Sequence, residues 1–312
     1  MKDFIMSIDL GGTRVKIGIF DKTQLLDFAI YPSFRDKKTT ENMEMVRGHC
    51  FELCKNANIS IESVRQIGLA FPGLVNCDKG HVISSSGKFE DAGDFNFKEW
   101  AEDNFNAAIY MDNDSRLACW GEKQAGAGKS YSNIVMVTFG TGIGTGVVIE
   151  DQLLIGKHYQ AGCLGGHIPV VANGRKCHCG NIGCVEAEAS LPALNEKAEN
   201  HPEYRGSELT NFDFRELFEA YQNNDDLAIE IAEYGMSLWS TSLVSYIHAY
   251  DPEAIILGGG IMKSKHIIIP YFKNYIEKHA WTPRHKVKII NAILGDKAGV
   301  YGAYLKAKQL IA

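Results

Sequence analysis

Short apolar blocks separated by glycine-rich turns dominate the start of the chain. Residues 4–8 and 15–20 read as strands joined through Asp9-Leu10-Gly11-Gly12-Thr13-Arg14, and a third strand follows at 25–31. Gly11 and Gly12 are expected at positive φ, as a tight hairpin turn requires. The plan recurs downstream, with a strand at 134–138, the turn Phe139-Gly140-Thr141-Gly142-Ile143-Gly144, and strands at 145–149 and 152–155. Asp9 superposes on Thr138 and Gly11 on Gly140 with one offset of 129 residues, so the chain reads as an internal duplication. Two domains, each opening with a three-stranded antiparallel meander, are then expected to bring their glycine loops face to face across a cleft. A loop with exposed N–H groups and few side chains is an anion nest, suited to a phosphate chain.

Between the meanders the spacing of Met45, Cys50, Leu53 and Cys54 predicts a helix over 41–56, and 67–70 reads as a buried strand. Phe71-Pro72-Gly73-Leu74-Val75 follows as a loop at the carboxyl end of that strand, where α/β sheets bind ligands. A helix at 97–105 and a strand at 108–111 lead into Asp112-Asn113-Asp114-Ser115-Arg116 and a helix over 117–125. Three roles are open to Asp114: a helix cap, part of a metal-binding acidic turn, or a general base. Helices are expected at 187–200, 214–222, 225–249 (ended by Pro252) and 298–310, with strands at 254–257 and 287–290. Gly258-Gly259-Gly260 leaves a flat backbone after its strand. Helix packing or the approach of a planar adenine ring would each require that.

At 312 residues the chain exceeds what one core comfortably fills, so two domains are the default. With 45% hydrophobic and 22% charged residues the composition is that of an ordinary globular protein. A net charge of −6 without clustered Lys and Arg argues against a nucleic-acid partner. No apolar run reaches membrane-spanning length, and the opening MKDFIMSIDL lacks a signal peptide's apolar stretch. No membrane association and a reducing cytoplasmic location are expected.

The eight cysteines show no disulfide framework, but Cys177, Cys179 and Cys184 fall in a C-x-C-x4-C pattern with Gly180 and Gly183 between the last two. Borderline-soft Zn2+ prefers thiolate sulfur and imidazole nitrogen in a tetrahedron, and glycines let the sulfurs converge. A disulfide pair or buried thiols acting as small hydrophobes are the plain alternatives. Three thiols within eight residues favour metal, with His167 rather than His178 as fourth ligand. Such a closed site is structural rather than catalytic.

Taken together, Asp9-Leu-Gly-Gly-Thr, Phe71-Pro-Gly, Asn113-Asp114, Gly140-Thr-Gly-Ile-Gly, Gly166-His167-Ile-Pro, Cys177-His-Cys-Gly-Asn-Ile-Gly-Cys-Val-Glu186 and Leu257-Gly-Gly-Gly resemble the ROK family of sugar kinases and sugar-responsive repressors. The match runs in order from residue 4 to the C-terminal helix, and the cysteine block is its most specific part. The resemblance implies an α/β fold of two ribonuclease H-like (actin-like ATPase) domains flanking a cleft, with a structural zinc site. Residues 1–117 would form a small domain on which 297–312 packs back, and 118–296 a large one. It implies that Gly11, Gly12 and Thr13, with Gly140, Thr141, Gly142 and Gly144, hold ATP phosphates, with Asp9 near Mg2+ and Gly258, Gly259 and Gly260 facing the adenosine. Asp114 would be the general base, and Pro72, Gly73, Asn113, His167 and Glu186 would line the sugar. In this family the position of His167 serves both zinc and sugar. A small-molecule sugar substrate and a homodimer are implied as partners.

The chain departs from the family pattern at three places. Leu164 stands where a Glu usually contacts the sugar, Ser86-Gly87-Lys88 replaces a segment with an Asn, and Arg116 replaces the second Asn of Asn-Asp-Ala-Asn. The expected activity is phosphorylation of a hexose or amino-hexose, most often at the 6-OH. A catalytically weak sugar sensor of the same fold, or a kinase for another polyol, are the rivals. The repressor branch carries a helix-turn-helix ahead of its first strand, whereas here that strand starts at residue 4, so DNA binding is not expected.

Overall fold

The computed structural model describes residues 3–85, 87–204, 209 and 211–311. Ser86, one of the departures, and Ala312, the end of the expected C-terminal segment, lie outside the described residues. The chain divides into two compact units, Met1–Lys129 with Ile155–Ala161 and Leu294–Ala312, and Ser130–Leu154 with Gly162–Ile293.

In the first unit β1 (Phe4–Leu10), β2 (Arg14–Phe20) and β3 (Leu25–Pro32) form the meander, and β4 (Val64–Phe71) and β7 (Ala108–Asn113) extend it in the order β3-β2-β1-β4-β7. β1, β4 and β7 run parallel, so their carboxyl ends share one edge. Apolar side chains such as Met6, Ile8, Ile67, Leu69 and Met111 are fully buried, which is why these segments are short unbroken apolar runs rather than alternating ones. Helix α1 (Thr39–Asn56) buries Cys50, Leu53 and Cys54 as their spacing anticipated, but Met43 and Val46 complete that face rather than Met45, which is only half-buried. Leu74 and Val75, expected in a loop, instead belong to β5 (Leu74–Asn76), which pairs with β6 (His81–Ser84). Gly73 permits that hairpin, since a Cβ there would lie 2.5 Å from Ser84 O.

Helices α2 (Phe97–Phe105), α3 (Asp114–Ala125) and, from the C-terminus, α9 (Ala298–Ala307) complete the unit. The first unit continues past residue 117 to Lys129 because α3 crosses α9 at backbone distance. A Cβ on Gly302 would lie 1.8 Å from Leu117 O, and one on Gly121 2.1 Å from Ala298 O. Only glycine at both positions allows the helices to approach so closely.

The second unit repeats the sheet. β8 (Ile134–Phe139), β9 (Ile143–Ile149), β10 (Gln152–Leu153), β11 (Ala254–Gly259) and β12 (Lys288–Asn291) stand in the order β10-β9-β8-β11-β12, matching the first sheet strand for strand. The hairpins differ by one residue, since Asp9 stands opposite Lys16 in the first, whereas Thr138 stands opposite Gly144 rather than Thr145 in the second, whose turn is one residue shorter. The duplication inferred from the constant offset is therefore real at the level of topology. One continuous helix over 187–200 is not. It is split into α4 (Val185–Ala189) and α5 (Leu191–Glu199) by extended Ser190, with Pro192 in the first turn of α5 lacking the N–H a through-helix would need. After α6 (Phe214–Gln222), α7 (Asp226–Tyr250) carries the core residues Trp239, Leu243 and Tyr246. Helix α8 (Lys265–His279) was not anticipated, and Pro270 within it disguises its pattern. No helix of the described residues is long and apolar enough to cross a membrane.

Candidate active site and metal centre

The parallel edge of the first sheet gathers the polar residues singled out in that half. Phe71 and Asn113 are register partners at the carboxyl ends of β4 and β7, and Asp9 lies near the end of β1. Asn113 caps α3, its Oδ1 accepting from Arg116 N at 3.0 Å. Its amide nitrogen donates to Gly73 O at 3.0 Å and to Asp114 Oδ1 at 3.1 Å. The cap role left open for Asp114 thus falls to its neighbour. Asp114 also accepts from Ser115 N at 2.7 Å. Burial pushes its carboxyl above the usual carboxylate range and the charge of Asp9 adds to this, while Lys88 and the Ser115 hydrogen bonds pull the other way.

Asp9 is held from two sides. Lys16, opposite it on β2, donates to Asp9 Oδ2 at 3.0 Å and lies 3.5 Å from Asp296. Burial of Lys16 lowers its pKa, but the two carboxylates outweigh that and the net shift is upward. On the other side Gly299, in the first turn of α9, makes room for the carboxylate, since a Cβ there would be 2.8 Å from Asp9 Cγ. A helix N-terminus favours an anion at that position. Asp9 offers a carboxylate oxygen to a hard cation such as Mg2+. Lys16 escaped the sequence reading; strand alternation from Asp9 through the turn would have placed it.

The loop between β1 and β2 corrects an expectation. Neither Gly11 nor Gly12 takes a positive φ. Gly11 is needed because its N–H bonds Arg14 O at 2.9 Å in a turn so tight that a Cβ would stand 2.7 Å from that oxygen. Beside Gly12, where a Cβ would lie 3.5 Å from Arg35 and 3.6 Å from Lys88, two long cationic side chains flank the loop. Thr13 O accepts from Ser33 N at 3.0 Å.

Arg116, the departure from the Asn pattern, is engaged by a neighbouring carboxylate and by two backbone carbonyls. Fully buried, it pairs with Asp112 and donates to the carbonyls of Tyr159 and Ala161 at 3.0 and 3.2 Å. It ties Ile155–Ala161 to the first unit.

In the second unit His167, Cys177, Cys179 and Cys184 bring one ligand atom each within 4.8 Å of one another. Zinc–sulfur bonds of about 2.3 Å put two thiolates of a tetrahedron about 3.8 Å apart, and a thiolate and an imidazole nitrogen about 3.5 Å. Cys179 and Cys184 sulfurs are 3.7 Å apart, and Cys177 Sγ is 3.5 Å from His167 Nδ1. The donor set of His167 and the three cysteines fits zinc, and a second group of possible ligands, His167, Cys177, His178 and Glu186, overlaps it. Gly183 makes the turn at φ 70, where a Cβ would be 1.6 Å from Val171 O. Burial raises the Cys184 thiol to about 12, so metal binding there would expel a proton.

The knuckle is anchored to α7 by groups the sequence did not reveal. Glu188 accepts from Arg175 N and from Tyr234 OH at 2.8 Å, Trp239 Nε1 donates to Ala189 O at 2.9 Å, and Tyr246 OH to Gly165 O at 2.9 Å. Glu186 lies beside both histidines, its Oε1 being 3.6 Å from His178 Nε2 and 4.0 Å from His167 Nδ1. Its Oε2 accepts from Ile143 N, in the Gly140–Gly144 loop, at 2.7 Å. Within that loop Gly140 N donates to Gly142 O at 3.0 Å. Of the glycine triplet after β11, Gly259 is fixed by folding, with φ 88 and a Cβ position 2.2 Å from Phe139 O. Gly259 is therefore required by close approach to strand β8 rather than by packing of the following helix, and among the described residues a Cβ on Gly260 has no neighbour nearer than Phe214, at 3.7 Å.

Comparison with known proteins agrees with the resemblance. The model of the ROK family matches residues 5–310. The chain is 27% identical to a glucokinase of Thermotoga maritima, covering 98% of each chain. It is 29% identical to an N-acetylgalactosamine kinase of Shewanella, covering 96% of this chain and 94% of that one. Among solved structures it is similar to a ROK hexokinase from Thermus thermophilus, with a TM-score of 0.79 and 27% identity over 99% of this chain and all of the other.

Proposed function

The chain belongs to the ROK family, and from that premise we propose that it is an ATP-dependent sugar kinase, moving the γ-phosphoryl group to the 6-OH of a hexose or amino-hexose. The observation that carries this reading is the division of labour between two neighbours. Asn113 caps α3, so the raised carboxyl of Asp114 is left to take a proton. A carboxyl shifted upward is a better general base than an ordinary one, and such help is worth roughly 10^2 to 10^4 in rate.

Phosphoryl transfer needs little covalent chemistry from a protein, chiefly positioning and charge neutralisation. In this reading Gly11, Gly12, Thr13 and the Gly140–Gly144 loop bind nucleotide phosphates through backbone N–H groups, and Gly260 leads the triplet's contact with adenosine. Asp9 would hold Mg2+, which would supply positive charge to offset that of the phosphates. Asn113, with the Pro72-Gly73 backbone it already engages, orients the acceptor hydroxyl toward Asp114. His167 and Glu186 bind further hydroxyls. Zn2+ held by His167, Cys177, Cys179 and Cys184 would fix the segment that carries both.

The relatives act on both a plain hexose and an N-acetylated one, and Leu164 removes a carboxylate that usually selects a hydroxyl. A site lacking one polar partner changes discrimination by large factors. The test is ADP release with Mg-ATP over a panel of glucose, mannose, fructose, allose and N-acetylated hexosamines. Release with at least one sugar supports the kinase. Sugar binding without release supports the sensor, and silence toward all of them alongside phosphorylation of another alcohol supports the polyol kinase.

A further inference from the structure

The Glu186 carboxylate already occupies the loop assigned to nucleotide phosphates. Its Oε2 takes the Ile143 N–H at 2.7 Å. A Cβ on Gly142 would be 2.6 Å from the same oxygen, so the carboxylate lies against the loop backbone at a distance only glycine permits. The loop has few other adjustments open to it. Gly140 O is tied to Leu191 N at 3.1 Å, and Ile143 O lies 2.0 Å from where a Gly166 Cβ would be. A backbone N–H that holds a carboxylate cannot at the same time hold a phosphate oxygen, and two anions at one nest repel.

We propose that Glu186 acts as an internal competitor for the Gly140–Gly144 loop, an anion that nucleotide phosphates must displace. This rests on the kinase reading, in which the loop binds phosphates and Glu186 also meets the acceptor. A sugar hydroxyl engaging Glu186 would draw the carboxylate off Ile143 and open the loop to nucleotide. Acceptor binding would then raise nucleotide affinity, and without acceptor the protein would bind ATP weakly and hydrolyse little of it. The neighbouring His178, 3.6 Å from Oε1, offers the carboxylate a second resting place on the same residue's other oxygen.

The test is the dissociation constant of Mg-AMPPNP, without sugar, for the wild type, Glu186→Gln and Gly142→Ala. The first variant removes the charge and keeps the shape. The second keeps the charge and pushes it off the loop, at a position that is not in the left-handed region. Both are expected to bind the analogue about tenfold more tightly than the wild type. Equal or weaker binding by both folded variants, with the wild type binding normally, overturns the competitor while leaving the kinase reading intact. No binding by any of the three, including the wild type, removes the phosphate-loop assignment and the competitor with it.

Discussion

The side-chain amide of Asn113 donates to Asp114 Oδ1 at 3.1 Å while its carbonyl oxygen accepts the Arg116 amide at 3.0 Å. One residue thereby satisfies the helix terminus and steers its neighbour's carboxyl. Asp114→Asn keeps the shape and removes the proton acceptor. It is expected to lower kcat by about 10^2 to 10^4 while sugar affinity stays within a few-fold. Turnover near the wild-type value would make Asp114 a structural residue.

The pH dependence follows from the same carboxyl. Because burial raises Asp114, kcat should fall as pH drops through a value above the ordinary carboxylate range near about 3.9. Lys88 opposes the shift, so Lys88→Met should move that acid limb to still higher pH. A raised pKa stabilises the folded state only where Asp114 is protonated. That contribution is full below the unfolded pKa and is lost as pH rises through the folded one. At neutral pH Asp114→Asn should then be no less stable than the wild type in urea unfolding.

The crossing of α3 and α9 rests on Gly121 and Gly302, each with a carbonyl about where a Cβ would stand. Gly302→Ala is expected to destabilise the chain by about 1–3 kcal/mol or more, through overpacking that neither backbone can relieve. Chemical denaturation of this variant against Gly48→Ala, whose Cβ would meet nothing within 4 Å, checks it.

Arg116→Ala leaves the buried Asp112 carboxylate without its guanidinium partner and should cost about 3–5 kcal/mol. The double variant Asp112→Asn, Arg116→Met should recover much of that loss, because it removes the charge rather than stranding it. A double variant as unstable as the single would assign the effect to the lost bonds with Tyr159 and Ala161 instead.

Elemental analysis is expected to find about one zinc per chain, and Cys179→Ser to lower the metal content. If zinc fixes His167 and Glu186, chelation should weaken sugar affinity at concentrations that leave far-ultraviolet circular dichroism unchanged. Simultaneous loss of both would confine the metal to stability.

Much of this was legible in the sequence because glycine and cysteine placements are local. The offset joining Asp9 to Thr138 and Gly11 to Gly140 foretold two sheets of one topology, and C-x-C-x4-C foretold a thiol cluster. What was illegible depends on distant partners. Gly11 and Gly12 were expected at positive φ, yet Gly11 is required by its approach to Arg14 O, which only the folded turn defines. Lys16 reads as a solvent-facing strand residue until Asp296 arrives from the far end of the chain. Glu188 and Arg116 gain their roles from α7 and from residues 155–161, and the hairpin of β5 and β6 is too short to show a period.

The central claim is tested most directly by following the γ-phosphoryl group of labelled Mg-ATP into sugar with wild-type protein and with Asp114→Asn. The account predicts label in a hexose or amino-hexose phosphate for the wild type, and loss of that transfer, with sugar still bound, for the variant. Sugar bound by the wild type with no label transferred would contradict it.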